Sequence, residues 1–347
     1  MKLFTQITLI LVIFLKTGNL LSGNDLFSVN NILLEQKDNN SSKQLANQAI
    51  KNGFNQLIER VLLKEDISKF SDLSFSNKKE LVAYYNISKK QKEEGDKINF
   101  SVTFDKEKIH NLFYKKNVSY SDISDKEFYI LPILIENDEI YIFSNNFYYQ
   151  NWNNISEKKD LIEFVLPLEN IEIIQNIDQF RNNLLGLELD LIFKEYLNKN
   201  VSLVLIEHSN SSVQKVYLKA RIQNKILSKS LSLKKVNLAK DKFNEKMIFE
   251  IKGELENLIK SQNLIDIRTP SFLNVKLNLN KDNNLVLLNS AIKKIDLIEN
   301  IFVLEFNKDF VNLKIKYLGK LEKIINQLKN KKIDLKFMND QWLIKIL

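Results

Sequence analysis

The sequence predicts an α+β protein made of several mixed domains. Three observations lead there: one segment carries apolar residues at helical spacing, others alternate apolar and polar residues, and the two patterns are interleaved along the chain. At 347 residues the chain is also longer than one core usually fills, at roughly 150 residues per domain. An apolar fraction of 44% against 27% charged residues is a globular composition, which excludes a chain disordered throughout.

After a strand-like start, LFSVNNILL, Ser42 stands where it can cap a helix whose apolar residues Leu45, Ala46, Ala49, Ile50, Phe54, Leu57, Ile58, Val61 and Leu62 share one face. Gly53 sits inside that pattern. Glycine weakens a helix by about 1 kcal/mol, so its presence predicts close packing against a sheet. A short second helix is expected over Lys78 to Tyr85, followed by a solvated loop, KKQKEEGDK. In INFSVTF the residues Ile98, Phe100, Val102 and Phe104 alternate with polar neighbours, and Asp105 then caps the helix KEKIHNLF. FYILPILI and EIYIFS form a hairpin through Glu136 to Asp138, with Pro132 placing its strand at an edge or bulge.

Beyond Asn145 the pattern reads as a buried strand and turn, LIEFVLPLENIEI, a helix around Asp178 to Leu197, and the strands VSLVLIE, VQKVYLKARI and ILSKSLSL. A long helix follows from about Lys242 to Lys260. The last unit reads VKLNL, LVLLNSAIKKI, NIFVLEF, NLKIKYL, LEKIINQLKN, then IDLKFM with WLIKIL. Its βαββαβ order is that of a ferredoxin-like domain. The expected division is residues 1–23 as a signal peptide, 24–144 as an N-terminal α+β domain, 145–238 as a second one, and 239–347 as the long helix plus the ferredoxin-like domain.

Export is expected from the first residues. Met1-Lys2 precedes the apolar run LFTQITLILVIFL, which ends before Lys16 and is shorter than the roughly 20 residues of a spanning helix. Cleavage near Asn24 is expected to yield a periplasmic or otherwise exported protein, with an uncleaved signal anchored in the inner membrane as the alternative. The chain has no cysteine, which excludes disulfides, thiolate metal sites and lipid attachment at cysteine. The net charge of +8 is spread among interspersed acids and bases, and Arg60, Arg181, Arg221 and Arg268 are far apart, so no nucleic-acid partner is expected.

Catalytic signatures are sparse. Only His110 and His208 are available, too few for a histidine zinc site; His110 falls on a helix, and His208 precedes the serines Ser209, Ser211 and Ser212 at an expected turn. The glycines are isolated and form no phosphate loop, so no cofactor is expected. Two acidic groups, Glu136, Asp138, Glu139 and Glu169, Glu172, are the candidates for carboxylate chemistry, although solvated acids in a hairpin turn and backbone-capping acids at a Pro-Leu corner are the favoured reading. The apolar residues of the lysine-rich helix near Lys320 to Lys332 belong to a core rather than to a lipid surface. The junction NNFYYQNWNN crowds Phe147, Tyr148, Tyr149 and Trp152 together. These are the candidate partner-binding residues, with burial between two domains as the competing and favoured reading.

Three stretches, the helix ending LIERVLL, the segment FSVTFDKEKIHNLF and the later LPLENIE, resemble a family of exported proteobacterial proteins catalogued only as a domain of unknown function, number two thousand and sixty-six. The chain departs from that pattern at Lys64 to Asp66, where the family has a glycine turn, and before FYILPILI, where an arginine-proline pair is missing. The resemblance implies an envelope location and a mixed α and β architecture, and it carries no site. The functional expectation is an exported, non-enzymatic binding or assembly factor with envelope proteins as partners. The alternative is a carboxylate-dependent hydrolase acting on envelope material.

Overall fold

The computed structural model describes residues 26–35, 41–89, 97–123, 125–155, 161–208, 212–235, 239–280 and 284–347. The expected signal segment and most of the loop after Lys89 lie outside them. The protein is α+β, and its contacts divide it into two compact units. One combines residues 1–120 with 264–347, and the other is 121–263.

The first unit begins with β1 (Ser28–Glu35), α1 (Ser42–Val61), β2 (Val82–Lys89), β3 (Lys97–Phe104) and α2 (Lys106–Lys116). Sequence periodicity places α1 correctly, but its cap is Ser41, one residue earlier than expected. The Ser41 Oγ accepts from Gln44 N at 3.3 Å while Ser41 N donates to Gln44 Oε1 at 2.8 Å, a reciprocal capping box. Gly53 lies where a Cβ would stand 3.0 Å from Ile32 Cδ1 and 3.4 Å from Val102 Cβ, so the helix rests directly on β1 and β3. Asp105 caps α2 as expected, accepting from Lys108 N at 3.0 Å. The helix expected over Lys78 to Tyr85 is instead Phe75–Glu80, capped by Ser74; Tyr84 and Tyr85 belong to β2, where aromatic residues suit a pleated surface. The strands run antiparallel in the order β1-β3-β2.

The second unit holds β4 (Glu127–Glu136), β5 (Glu139–Tyr141), α3 (Phe147–Asn151), β6 (Glu163–Val165), α4 (Ile171–Gln179), α5 (Leu189–Ile192), β7 (Val201–His208), β8 (Val213–Ile222), β9 (Lys225–Lys234) and α6 (Lys240–Gln262). The sheet order is β9-β8-β7-β4-β5, with β6 also paired to β4. β4 and β7 are parallel from Tyr129↔Val201 to Glu136↔His208 and are almost continuously buried, as strands covered on both faces must be. One face packs on α6 through Met247, Ile248, Ile251, Leu255 and Ile259; the other packs on Ile173, Ile177, Leu189 and Ile192 from α4 and α5.

Two expected boundaries therefore fail. A division at Asn145 would cut a single sheet, because β4 pairs with β7 across it, and the long helix belongs to this unit rather than to the C-terminal one. The helix expected around Asp178 to Leu197 is broken into short pieces, with α4 starting earlier at Ile171, where Asn170 caps it by accepting from Glu172 N at 2.8 Å. Pro132 behaves as an edge residue inside a central strand. On its free side β6 pairs only with Glu127 to Tyr129 and β5 only with Leu134 to Glu136, which leaves a gap where the missing N–H costs no ladder bond.

The chain then returns to the first unit with β10 (Ser271–Asn278), α7 (Leu285–Ile292), β11 (Ile298–Phe306), β12 (Phe310–Tyr317), α8 (Leu321–Asn330), β13 (Ile333–Met338) and β14 (Gln341–Ile346). The sheet order is β11-β12-β10-β14-β13. Apart from the short helices between α1 and β2, its first five elements repeat the βαββα order of β1 to α2, with the first strand again beside the third. The ferredoxin-like arrangement is not reproduced strand for strand, since the unit ends in two strands and β14, running parallel to β10, takes the place beside it. Ile324 and Leu328 of α8 are buried in the core, as expected for that helix. Among the described residues no helix is long and apolar enough to cross a membrane.

Candidate functional site

The aromatic junction is organised by Asn146, which is fully buried. Its Oδ1 accepts from Tyr148 N at 2.9 Å, capping α3, while its Nδ2 donates to Pro132 O at 2.9 Å and Tyr141 O at 3.1 Å. A side-chain amide thus fills the gap in the ladder beside Pro132 and fixes the start of α3. The four rings then part. Tyr148 and Trp152, four residues apart and 0% exposed, enter the core shared with α6, and Phe147 packs against the same core. Trp152 meets Phe164 edge-on at 5.9 Å. Tyr149 joins the opposite face, edge-on to Phe143 at 5.3 Å, and its hydroxyl donates to Pro167 O at 2.8 Å. The rings form no exposed docking patch: they pack both faces of one sheet within one unit, rather than lying between two domains.

The same rings reveal a cluster that spacing along the chain concealed. β4 and β7 end side by side at Glu136 and His208, the carboxyl end of a parallel pair, where α/β sheets commonly place ligands. His208 Nε2 lies 2.7 Å from the Tyr148 hydroxyl, which donates to Asn244 Oδ1 at 3.0 Å. The phenol has one proton, so with it on Asn244 the imidazole carries its own proton on Nε2. His208 Nδ1 then faces Glu136 Oε1 at 3.6 Å, too far for a hydrogen bond. Glu136 is held instead by Lys240 Nζ at 3.0 Å.

The electrostatics of this cluster stabilise the resting charges. The hydrogen bond from Lys240 keeps the Glu136 carboxyl below its ordinary range, burial lowers the His208 imidazole, and burial raises the Tyr148 phenol. A general acid needs the opposite shift in a carboxyl, and a nucleophilic phenol would need a lowered one. The network ties α6 to the ends of β4 and β7. His208 is the last residue of a strand rather than a turn residue, and its ring nitrogens face Tyr148 and Glu136 rather than a serine. Ser209 and Ser211 lie outside the described residues.

The remaining carboxylate candidates are surface groups. Asp138 occupies the β4–β5 turn with φ 64°, and Glu139 Oε2 accepts from the Tyr141 hydroxyl at 3.0 Å. Glu169 and Glu172 are exposed, and Glu172 pairs with Lys194. His110 lies on α2 as expected, buried and stacked on Tyr120 at 5.3 Å, with Nδ1 3.6 Å from Glu299 Oε1. Burial pushes it down to about 4. Among the described residues no group of three or more His, Asp or Glu could hold a metal ion.

An open surface lies elsewhere. Edge strand β11 exposes Phe302, Val303, Leu304 and Phe306 by 42%, 52%, 57% and 64%. Its ladder with β12 is shifted between Ile298 and Asn300 and again between Val303 and Glu305, so the strand is bent at two places and Leu304 falls at a bulge. The sequence signal was present: no lysine or proline occurs from Ile298 to Phe306.

No family profile matches the chain, and no curated protein does. Among the solved structures that match is the crystal structure of an uncharacterized protein, 10% identical, covering 40% of this chain and 99% of its own, with a TM-score of 0.20.

Proposed function

We propose that the chain is an exported envelope protein that acts by binding other envelope proteins rather than by catalysis. The observation that carries this reading is the set of apolar side chains Phe302, Val303, Leu304 and Phe306, interrupted only by Glu305 and exposed on the outermost strand of a sheet. Contiguous exposed apolar surface is a feature of interaction sites, and the two bulges favour recognition by side chains over the addition of a backbone strand. The carboxylate-dependent alternative lacks comparable support, because Glu136 is shifted away from the acid form that a hydrolase would use. Export rests on the basic and apolar N-terminus, with anchoring by an uncleaved signal as the other arrangement.

The test places a photo-crosslinking residue at position 304 in living cells, with position 229 on β9 as control. Adducts to proteins of the envelope fraction at 304 and not at 229 are expected. N-terminal sequencing of the same material is expected to begin near Asn24. A cytoplasmic protein retaining Met1 would overturn the location, and equal labelling at both positions would overturn the surface.

A further inference from the structure

We infer that the outward face of the C-terminal sheet docks on an anionic lipid bilayer. One face of this sheet is committed to the core through Leu273, Val275, Leu277, Val311, Leu313 and Ile315, together with α7 and α8. The other face is set by register. Phe302 stands opposite Lys314, Lys276 opposite both Asn312 and Leu343, and Leu343 opposite Lys336. Lys316 and Lys345 complete the set of lysines. The acids on the face itself are Glu299, in an ion pair with Lys316 at 2.8 Å, Asp334, paired with Lys336 at 2.7 Å, and Glu305, which accepts from Asn312 Nδ2 at 2.7 Å; Asp309 and Asp340 lie with Lys308 in the turns at its ends. Lysines outnumber acids, and two of them rest on rings: Lys314 Nζ is 4.5 Å from the Phe272 centroid and Lys276 Nζ 4.1 Å from that of Phe310.

The chemistry of this face selects its partner. Phe272 is exposed, and none of the outward residues named is buried, so the surface is broad and open rather than grooved. Lysines act as point charges without the planar fork with which arginine binds phosphate bidentately, and the face carries no arginine. The ammonium groups over Phe272 and Phe310 occupy ring faces that a nucleobase would need for stacking. Spread cationic charge interleaved with apolar rings matches a surface of anionic headgroups over hydrocarbon, where neither fork nor groove is required. Phe302 is shared with this face, whereas Val303 and Phe306 stand opposite Leu313 and Val311 on the other side of β11 and, with Leu304 at its bulge, would remain open beside the bilayer.

The full chain is tested by sedimentation with phosphatidylcholine vesicles and with vesicles in which part of the lipid is phosphatidylglycerol. The comparison is between the natural chain and Lys276→Gln, Lys314→Gln, Lys345→Gln combined. The N-terminal apolar run is present in both and cancels. A lysine near an anionic surface contributes about fivefold in affinity, so the triple variant is expected to bind phosphatidylglycerol vesicles on the order of a hundredfold more weakly. Lys345→Gln alone, at an exposed position, is expected to show about a fivefold loss with an unchanged melting temperature, which guards against misfolding of the triple variant. Undiminished binding by both variants, equal binding to the two vesicle types, or lysine-dependent binding to single-stranded nucleic acid without binding to vesicles would each overturn the inference.

Discussion

β9 and β11 are both outermost strands, and they meet solvent in opposite ways. β9 alternates, turning Leu227, Leu231 and Leu233 toward the core and exposing one large apolar side chain, Ile226, while Lys225, Lys229 and Lys234 stand along the strand, with Lys229 paired to Glu254. β11 has no such lysine and is bent by two bulges instead. Charge protects both the backbone and the side chains of an edge from unwanted pairing; a bulge protects only the backbone. The difference extends to the sheets behind them. The sheet bearing β9 is covered on both faces, so its large rings serve stability, whereas that of β11 is covered on one, so several of its rings remain available for contact.

The largest expected effect that divides the two cases is on the rings themselves. Trp152→Ala should lower unfolding stability by about 3 to 5 kcal/mol, and Phe306→Ala should stay within about 0.5 kcal/mol, both read by chemical denaturation. Similar losses would erase the distinction between the closed sheet and the open one.

A second test sets the buried part of the first unit apart from its open sheet. His110 is neutral in the fold, its pKa pushed down to about 4, and the unfolded chain takes up that proton near 6.5. The unfolded state therefore binds more protons in this window, and stability is full above about 6.5 and falls toward pH 4. At about 1.4 kcal/mol per unit the loss is of order a few kcal/mol. Denaturation curves at several pH values should show it, and His110→Gln should flatten the slope in that window.

Tyr148→Phe probes the closed end of β4 and β7 more gently. Removing the hydroxyl takes a hydrogen-bond partner from both His208 and Asn244, an expected loss of about 1 to 3 kcal/mol in the denaturation midpoint analysis. A neutral result would mean that water replaces the phenol there.

The smallest effect on stability is expected from exchanging the guards. Leu304→Lys should change stability by less than about 0.5 kcal/mol while abolishing partner crosslinks from neighbouring position 303, and Lys229→Val should make β9 prone to self-association, seen by light scattering. If Leu304→Lys leaves crosslinking intact, the apolar side chains of β11 are not what the partner reads.

Much of the local structure was legible from periodicity. α1, α2, α6 and the strands from Val201 to Lys234 follow patterns in which burial repeats at the helical or the strand period. The candidate aromatic residues were legible as a cluster but not as to their direction. Tyr148 and Trp152 turn inward while Tyr149 turns to the other face, and that division depends on Asn146 reaching Pro132 and Tyr141. The Glu136–His208–Tyr148 network left no signature, because residues far apart in sequence meet only when β4 and β7 pair.

By itself the sequence determined the α+β class, most helices and strands, the cap at Asp105 and the close approach at Gly53. These follow from side-chain period, capping chemistry and glycine's missing Cβ, which act within a few residues. Tertiary structure alone decided which elements share a core. The parallel pairing of β4 with β7 joins the regions on either side of Asn145, α6 is claimed by the sheet whose apolar face matches its own, and the chain's return at Leu264 places its two βαββα segments in one unit. It also decided that Phe302, Val303, Leu304 and Phe306 face solvent, since an apolar run reads the same whether a neighbour covers it or not, and only the assembled sheet leaves β11 at its edge.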